Sequence, residues 1–134
     1  MGQAADVARR WFTEVWKPGG ERTVDALLSP QIVGWMEGER EIRTVQAFKD
    51  ARAELLSAFP DLQIEIDDII EQGDKAAIRW HATATHGGPG LGFEATRRAV
   101  AVRGMTWHEI KDGQLVRAWD SWNMGALMTH LSAP

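Results

Sequence analysis

Asp120 has the most suggestive setting for chemistry in this sequence. It lies close to Trp119 and Trp122, in a run rich in Val, Trp and other strand-forming residues. Aspartate is uncommon in strands and is rarely buried without a partner. A carboxylate in such surroundings could take up or release a proton. The alternative is a structural acid, hydrogen-bonded to an indole N–H or to Arg79.

A second polar pair lies on an earlier strand, predicted from Lys75 to His86. Period-two alternation places Arg79 and His81 on one face and an apolar row on the other. An aspartate and a neutral histidine within hydrogen-bonding reach could share proton abstraction and donation. Arg79 could keep the carboxylate ionised or stabilise a developing enolate. Asp120, His81 and Arg79 are therefore the candidate catalytic residues.

The hydrophobic pattern predicts the elements that must position these side chains. Asp112-Gly113 tolerates positive φ at both positions, so it predicts a β-hairpin whose second strand contains Asp120. Its pairing would set Lys111 opposite Gln114, Glu109 opposite Val116 and Trp107 near Ala118. The other predicted elements are helices over residues 3–16, 23–28, 44 to 57 or 58, and 124–131, with strands over 32–36 and 62–67. Helices followed by an antiparallel sheet indicate an α+β fold.

Composition narrows the class of protein. The chain has 134 residues, which predicts a single domain over residues 1–134. A net charge of −4 argues against a nucleic-acid surface, and the absence of cysteine excludes thiolate metal sites. No run of 18 or more apolar residues occurs. We expect a cytoplasmic protein with no membrane partner, no metal and no cofactor.

Several segments together resemble the SnoaL-like family of the nuclear-transport-factor-2-like superfamily. They are residues 58–62 (AFPDL), 78–80 (IRW) with 83–86, 100–104 (VAVRG), and 112–116 (DGQLV) continuing through 119–123 (WDSWN). No single segment is specific, and the match depends on their order and spacing. The resemblance implies a cone-shaped fold, in which a curved mixed or antiparallel sheet wraps over three helices of the N-terminal half. Such a cone encloses a pocket.

The resemblance also implies roles for particular residues. In similar cyclases, an aspartate at the place of Asp120 acts as general acid or base. In similar epoxide hydrolases an arginine and an aspartate stand at the places of Arg79 and His81, so only the arginine carries over. In this family's shape the polar face of the 75–86 strand can line the pocket, while its apolar face, including Trp80, packs against a second subunit. A cyclase-like partner histidine would be expected near Thr106.

The sequence therefore predicts a homodimer that binds a small, largely apolar ligand in a buried pocket. Residues that could contact the ligand are Trp35, Phe48, Thr106, His108 and Trp122. The leading function is a cofactor-free cyclase or isomerase of the aldol type. Its alternatives are a non-catalytic ligand-binding protein and a limonene-type epoxide hydrolase.

Overall fold

The computed structural model describes residues 2–90, 92 and 94–134, and this part of the chain forms an α+β fold. The helices are α1 (Gln3–Glu14), α2 (Glu21–Leu27), α3 (Val45–Ala58) and α4 (Met124–Ser132). The strands are β1 (Leu28–Met36), β2 (Arg40–Ile42), β3 (Gln63–Gln72), β4 (Lys75–Thr85), β5 (Ala99–Lys111) and β6 (Gln114–Trp122). The predicted fold class is confirmed. None of the described helices combines the length and the apolar character needed to span a membrane.

The strands form one curved, mixed sheet in the order β2-β1-β6-β5-β4-β3. Strand β1 runs parallel to β6, and the other neighbouring pairs are antiparallel. The sheet does not close into a barrel. The helices α1 and α3 pack on its inner face, so side chains that point inward from the central strands β4, β5 and β6 meet the helices.

Two polar contacts hold the N-terminal helices in place. Thr44 caps α3, as predicted, because its Oγ1 accepts a hydrogen bond of 2.9 Å from the Ala47 N–H. Buried Arg52 of α3 donates from Nε to the Val15 carbonyl (2.6 Å) and from Nη2 to the Lys17 carbonyl (2.9 Å). The first bond gives the Val15 carbonyl, at the C-cap of α1, a partner outside the helix, and the second reaches the loop that follows α1. They fix the two helices against each other under the sheet.

The apolar row of β4 lies in the hydrophobic core. Ala76, Ile78, Trp80 and Ala82 are all buried, and the Trp80 ring lies 6.1 Å from the ring of Phe12 on α1. The prediction that this row packs against a second subunit is therefore wrong. The helices of the same chain cover it, which is the ordinary arrangement for the apolar face of a half-buried strand.

The β5–β6 hairpin forms about the predicted turn. Asp112 has φ 52° and Gly113 has φ 77°, so both adopt the predicted positive φ. Lys111 pairs with Gln114, again as predicted. The prediction of the hairpin is therefore confirmed for its turn and for the residue pair next to the turn.

The pairing changes one step further along the hairpin. The register shifts between Glu109 and Ile110, so Glu109 faces Arg117 instead of Val116. Trp107 accordingly faces Trp119, the neighbour of Ala118, and the predicted pairing of Glu109 with Val116 is wrong. A bulge inserts one residue into one strand and moves everything beyond it by one position. This shift brings Asp120 opposite Thr106.

Candidate functional site

A pocket of about 100 Å³ lies between the inner face of the sheet and the helices. Its walls are largely apolar and come from α1, α3, α4 and five strands, β1, β3, β4, β5 and β6. They include Trp11, Phe12, Phe48, Leu55, Ile64, Trp80, Val102, Trp122 and Leu127. Asp120 is the single ionisable side chain among the described residues that line it. The site is therefore a hydrophobic pocket with one carboxyl group.

Two side chains from neighbouring strands orient the Asp120 carboxyl group. The Thr106 hydroxyl of β5 donates a hydrogen bond of 2.7 Å to Asp120 Oδ1. The same hydroxyl accepts a hydrogen bond of 2.9 Å from Trp80 Nε1 of β4. Trp80 and Thr106 are both buried. These two hydrogen bonds, from the Trp80 indole to the Thr106 hydroxyl and from that hydroxyl to the Asp120 carboxylate, fix the acid on the inner face of the sheet.

Burial in this pocket raises the pKa of Asp120 from its ordinary 3.8 to about 6. The hydrogen bond from Thr106 lowers the pKa, and the negative charge of Glu37 raises it. Glu37, just beyond β1, accepts a hydrogen bond from the Trp122 backbone N–H at the end of β6. A carboxyl group with a pKa of about 6 is ionised in most molecules at neutral pH and is easily protonated. It therefore suits proton transfer near pH 7.

The raised pKa of Asp120 also predicts how stability depends on pH. The folded-state pKa of about 6 exceeds the ordinary 3.8, so the contribution of Asp120 to stability is greatest when it is protonated and is lost as pH rises through this interval. We expect the Asp120→Asn variant to gain stability relative to the wild-type protein as pH rises. Between about pH 4 and about pH 7.5 the gain should be on the order of 2 kcal/mol.

Urea unfolding of both proteins at several pH values measures this gain. Burial lowers the pKa of His108 to about 3, which acts on stability in the opposite direction. Both proteins retain His108, so its contribution cancels in the difference. A constant difference across this pH range would contradict the raised pKa of Asp120.

Arg79 and His81 lie on the outer face of the sheet and not in the pocket. Their side chains are 56% and 38% exposed. His81 Nδ1 lies 2.8 Å from Asp67 Oδ1, and its Nε2 lies 3.2 Å from Glu65 Oε2. Arg79 lies 3.8 Å from the other oxygen of Asp67. The prediction that these two side chains converge with Asp120 is wrong, because adjacent positions on a strand face opposite sides and Trp80 takes the inner one.

The predicted ligand-contacting residues separate into three groups. Phe48 and Trp122 line the main pocket. Thr106 instead holds Asp120, and His108 is buried beside a smaller cavity. Trp35 does not border the main pocket, and its ring stacks on Trp119 with centroids 5.2 Å apart.

Sequence reasoning missed the contributions of Trp80 and Glu37. Trp80 was predicted to contact a second subunit, and Glu37 stands in a segment that reads only as a turn. The one signal for Trp80 was its place in an apolar row with period two, which is equally typical of core. Nothing in the sequence near Glu37 indicates its proximity to Asp120, because the two residues meet only through the pairing of β1 with β6.

Within the described part of the chain, no group of three or more His, Asp or Glu side chains is arranged to hold a metal ion.

The curved, unclosed sheet and the helices on its inner face define a nuclear-transport-factor-2-like fold. The sequence model of the SnoaL-like polyketide cyclase family matches residues 6–131. The chain belongs to this family. No curated protein matches it.

Several solved structures share this fold. A proposed SnoaL-like polyketide cyclase from Jannaschia sp. CCS1 superposes with a TM-score of 0.92 at 23% identity, over 98% of this chain and 93% of that one. AclR, a proposed hydroxylase from Streptomyces galilaeus, is 30% identical over 98% of this chain and 80% of its own, with a TM-score of 0.76. IdmH, a proposed polyketide cyclase from Streptomyces antibioticus, superposes with a TM-score of 0.84 at 21% identity, over 98% of this chain and all of its own.

Proposed function

We propose that this protein is a cofactor-free enzyme that performs acid/base chemistry on a small, largely apolar carbonyl compound, with Asp120 as the proton-transfer group. The observation that carries the proposal is the position of Asp120, the one ionisable side chain among the described residues of an otherwise apolar pocket. Its pKa of about 6 supports this role, because it lies near the pH at which the enzyme would work.

The chemistry that suits this arrangement is an intramolecular aldol closure or a related isomerisation. Ionised Asp120 would remove a proton from the carbon beside a carbonyl group. The resulting enolate would attack a second carbonyl carbon, and the protonated Asp120 would return the proton to the oxygen of the new alcohol. One proton leaves carbon and one reaches oxygen, so the cyclisation needs no oxidant or reductant.

The size of the pocket limits what stands beside Asp120. Its volume of about 100 Å³ is small compared with the roughly 300–1,000 Å³ of drug-sized ligand sites. The proposed substrate therefore either is small or places only its reacting part beside the carboxyl group.

The same pocket bears on two alternative functions, a non-catalytic binding protein and an epoxide hydrolase. A non-catalytic binding protein is favoured by the apolar wall, which supplies contact area but few groups that could take part in a reaction. Epoxide hydrolysis is less well supported, because Arg79, the residue carried over from the epoxide hydrolases, lies on the opposite face of the sheet. We retain the first as the main alternative.

A ligand screen followed by product analysis separates the enzyme from the binding protein. Polyketide-like diketones, steroid-like ketones and terpene epoxides would be screened by thermal shift. Compounds that raise the melting temperature would then be incubated with the protein and analysed by mass spectrometry and chromatography. Conversion to a cyclised or isomerised product supports the proposal. Stabilising ligands that are all recovered unchanged would favour the binding protein.

The homodimer remains a proposal, but its surface must differ from the predicted one. The outer face of the sheet carries an apolar band formed by Trp35, Met105, Trp107 and Trp119. Met105 is 63% exposed, Trp107 42% and Trp119 39%. An exposed apolar group of this kind often marks a contact surface. A two-fold axis near Trp119 would bury the band against its copy in a second subunit.

Trp119→Glu should convert the proposed dimer to a monomer, because it would place a carboxylate in the centre of the contact. Sedimentation velocity at micromolar concentration measures the change. Ala53→Glu, on the exposed side of α3, introduces the same charge away from the band and should leave the association state unchanged. A wild-type protein that sediments only as a monomer would remove the proposal.

A further inference from the structure

A second, smaller cavity lies beside Asp120. It has a volume of about 30 Å³ and is bordered by Trp11, Met36, Phe48, Ala118 and His108 among others. Asp120 borders both this cavity and the main pocket. The carboxyl group therefore lies between the main pocket, which can hold part of a ligand, and a cavity of about 30 Å³.

His108 is the other ionisable group that borders the small cavity. Its side chain is only 1% exposed, and its Nδ1 atom has no hydrogen-bond partner among the described residues. The imidazole stacks on Phe12, with ring centroids 5.8 Å apart, and meets the edge of Trp11 at 6.3 Å. Neither aromatic ring accepts a conventional hydrogen bond from it. A buried polar atom that is left unpaired destabilises the fold, so such atoms generally bind water or another partner.

We propose that the small cavity holds an ordered water molecule that bridges the His108 imidazole and the Asp120 carboxyl group, which makes His108 a positioning residue for Asp120. A cavity needs only about 10–15 Å³ of accessible space for one water molecule, and the water needs two to four polar partners. The volume of about 30 Å³ meets the first condition, and the two polar side chains meet the second.

The positions of the two residues on the sheet agree with this bridge. His108 faces Ala118, and Thr106 faces Asp120, in adjacent inward-pointing pairs of β5 and β6. His108 and Asp120 are thus diagonal neighbours on one face of an antiparallel pair, a relation that spans about 7–8 Å between Cα atoms. No direct hydrogen bond joins the two side chains among the described residues, and the cavity that both border leaves space for an intervening water molecule.

The bridge would favour the ionised form of Asp120. The neutral imidazole keeps the water oriented, and the water donates a hydrogen bond to the carboxylate in addition to the bond from Thr106. Hydrogen bonds to a charged acceptor are stronger than those to a neutral one. Of the groups near Asp120, Glu37 supplies the one charge that acts on it, whereas α1, α3, α4 and β4 present uncharged side chains to the pocket.

The test measures the pKa of Asp120 directly, by NMR titration of its side-chain carboxyl carbon. The Asp120→Asn variant identifies the signal. His108→Phe keeps a planar ring, for which the cavity leaves room, but removes both ring nitrogens. We expect this variant to raise the pKa of Asp120 by about half a unit to one unit, the shift that corresponds to the loss of one ordinary hydrogen bond. His108→Asn restores a polar group and should return the pKa most of the way to the wild-type value.

The two variants separate the bridge from a packing effect. An unchanged pKa in His108→Phe, or equal shifts in the Phe and Asn variants, would overturn the proposal. If neither variant folds, the wild-type protein still decides the matter. A high-resolution crystal structure should show a water molecule within hydrogen-bonding distance of both a His108 ring nitrogen and an Asp120 oxygen, and a dry cavity would overturn the proposal. None of these measurements needs turnover, so the bridge and the proposed enzyme activity can fail independently.

Discussion

Asp120→Asn should lower turnover by roughly 10²-fold or more, the usual range for the loss of a general acid or base. Asparagine keeps the size of the side chain and can still accept the hydrogen bond from the Thr106 hydroxyl. It cannot accept a proton at neutral pH. Ligand affinity should change far less, because the apolar wall supplies most of the contact area. Steady-state kinetics on the substrate found in the screen, with affinity measured by calorimetry, gives both quantities.

Asp67→Asn is the matched control for this experiment. It is the same substitution in the same type of residue, but Asp67 lies on the outer face, bound to His81 and Arg79. Turnover in this variant should equal that of the wild-type protein. A large loss in Asp67→Asn would mean that the outer face takes part in the reaction. Unchanged turnover in Asp120→Asn would refute the role of Asp120 even if the protein proves to be an enzyme.

The pH dependence of the rate shows which form of Asp120 acts first. If the ionised carboxylate is the base, kcat/KM should rise as pH increases through about 6, the pKa of Asp120. A fall through the same range would indicate that the protonated acid acts first. The profile of Asp120→Asn should lack this step in either case.

The elements of the fold could be predicted from the sequence because each depends on local signals. Period two indicated the strands, Thr44 marked the start of α3, and Asp112-Gly113 marked the hairpin turn. The register of the same hairpin could not be predicted. Its bulge at Glu109 and Ile110 has no clear signature in residue types, yet it changes the partner of every residue beyond it. Extending the predicted pairing to Asp120 would have placed Met105, an outward-facing residue, opposite it.

The choice of face on β4 shows a second limit. Period two separates Arg79 and His81 from Ile78 and Trp80 without saying which pair points inward. The family resemblance favoured the polar pair, whereas the cost of exposing a tryptophan and an isoleucine favoured the apolar one. Burial of the tryptophan and the isoleucine decides which face of β4 points inward, because α1 packs against the apolar face. The sequence was enough to single out Asp120 as the candidate acid. The hydrogen bonds from Trp80 to Thr106 and from Thr106 to Asp120 depend on the strand register, which the sequence does not show.

Gly104→Ala should destabilise the fold more than the same change at Gly34, the other glycine of the described strands. Gly104 lies opposite Trp122 on β6 and beside Trp80 on β4, and an added Cβ would lie 2.3 Å from Trp80 Cζ2. Trp80 is 6% exposed and is held by its bond to Thr106, so the ring has little room to move. Overpacking of this kind costs about 1–3 kcal/mol. The free energy of unfolding in urea measures the loss.

Gly34→Ala is the matched control, because Gly34 is also a buried strand glycine. An added Cβ there meets nothing closer than the Ala118 carbonyl oxygen at 3.6 Å, an ordinary contact. This variant should be as stable as the wild-type protein or gain about 0.5 kcal/mol, because alanine restricts the unfolded chain. The indole N–H signal of Trp80 should shift in Gly104→Ala and stay in place in Gly34→Ala, since only the first displaces the ring. Equal stability in the two variants would show that the Trp80 ring does not rest on Gly104, and the support of Asp120 through Thr106 would then lose its anchor.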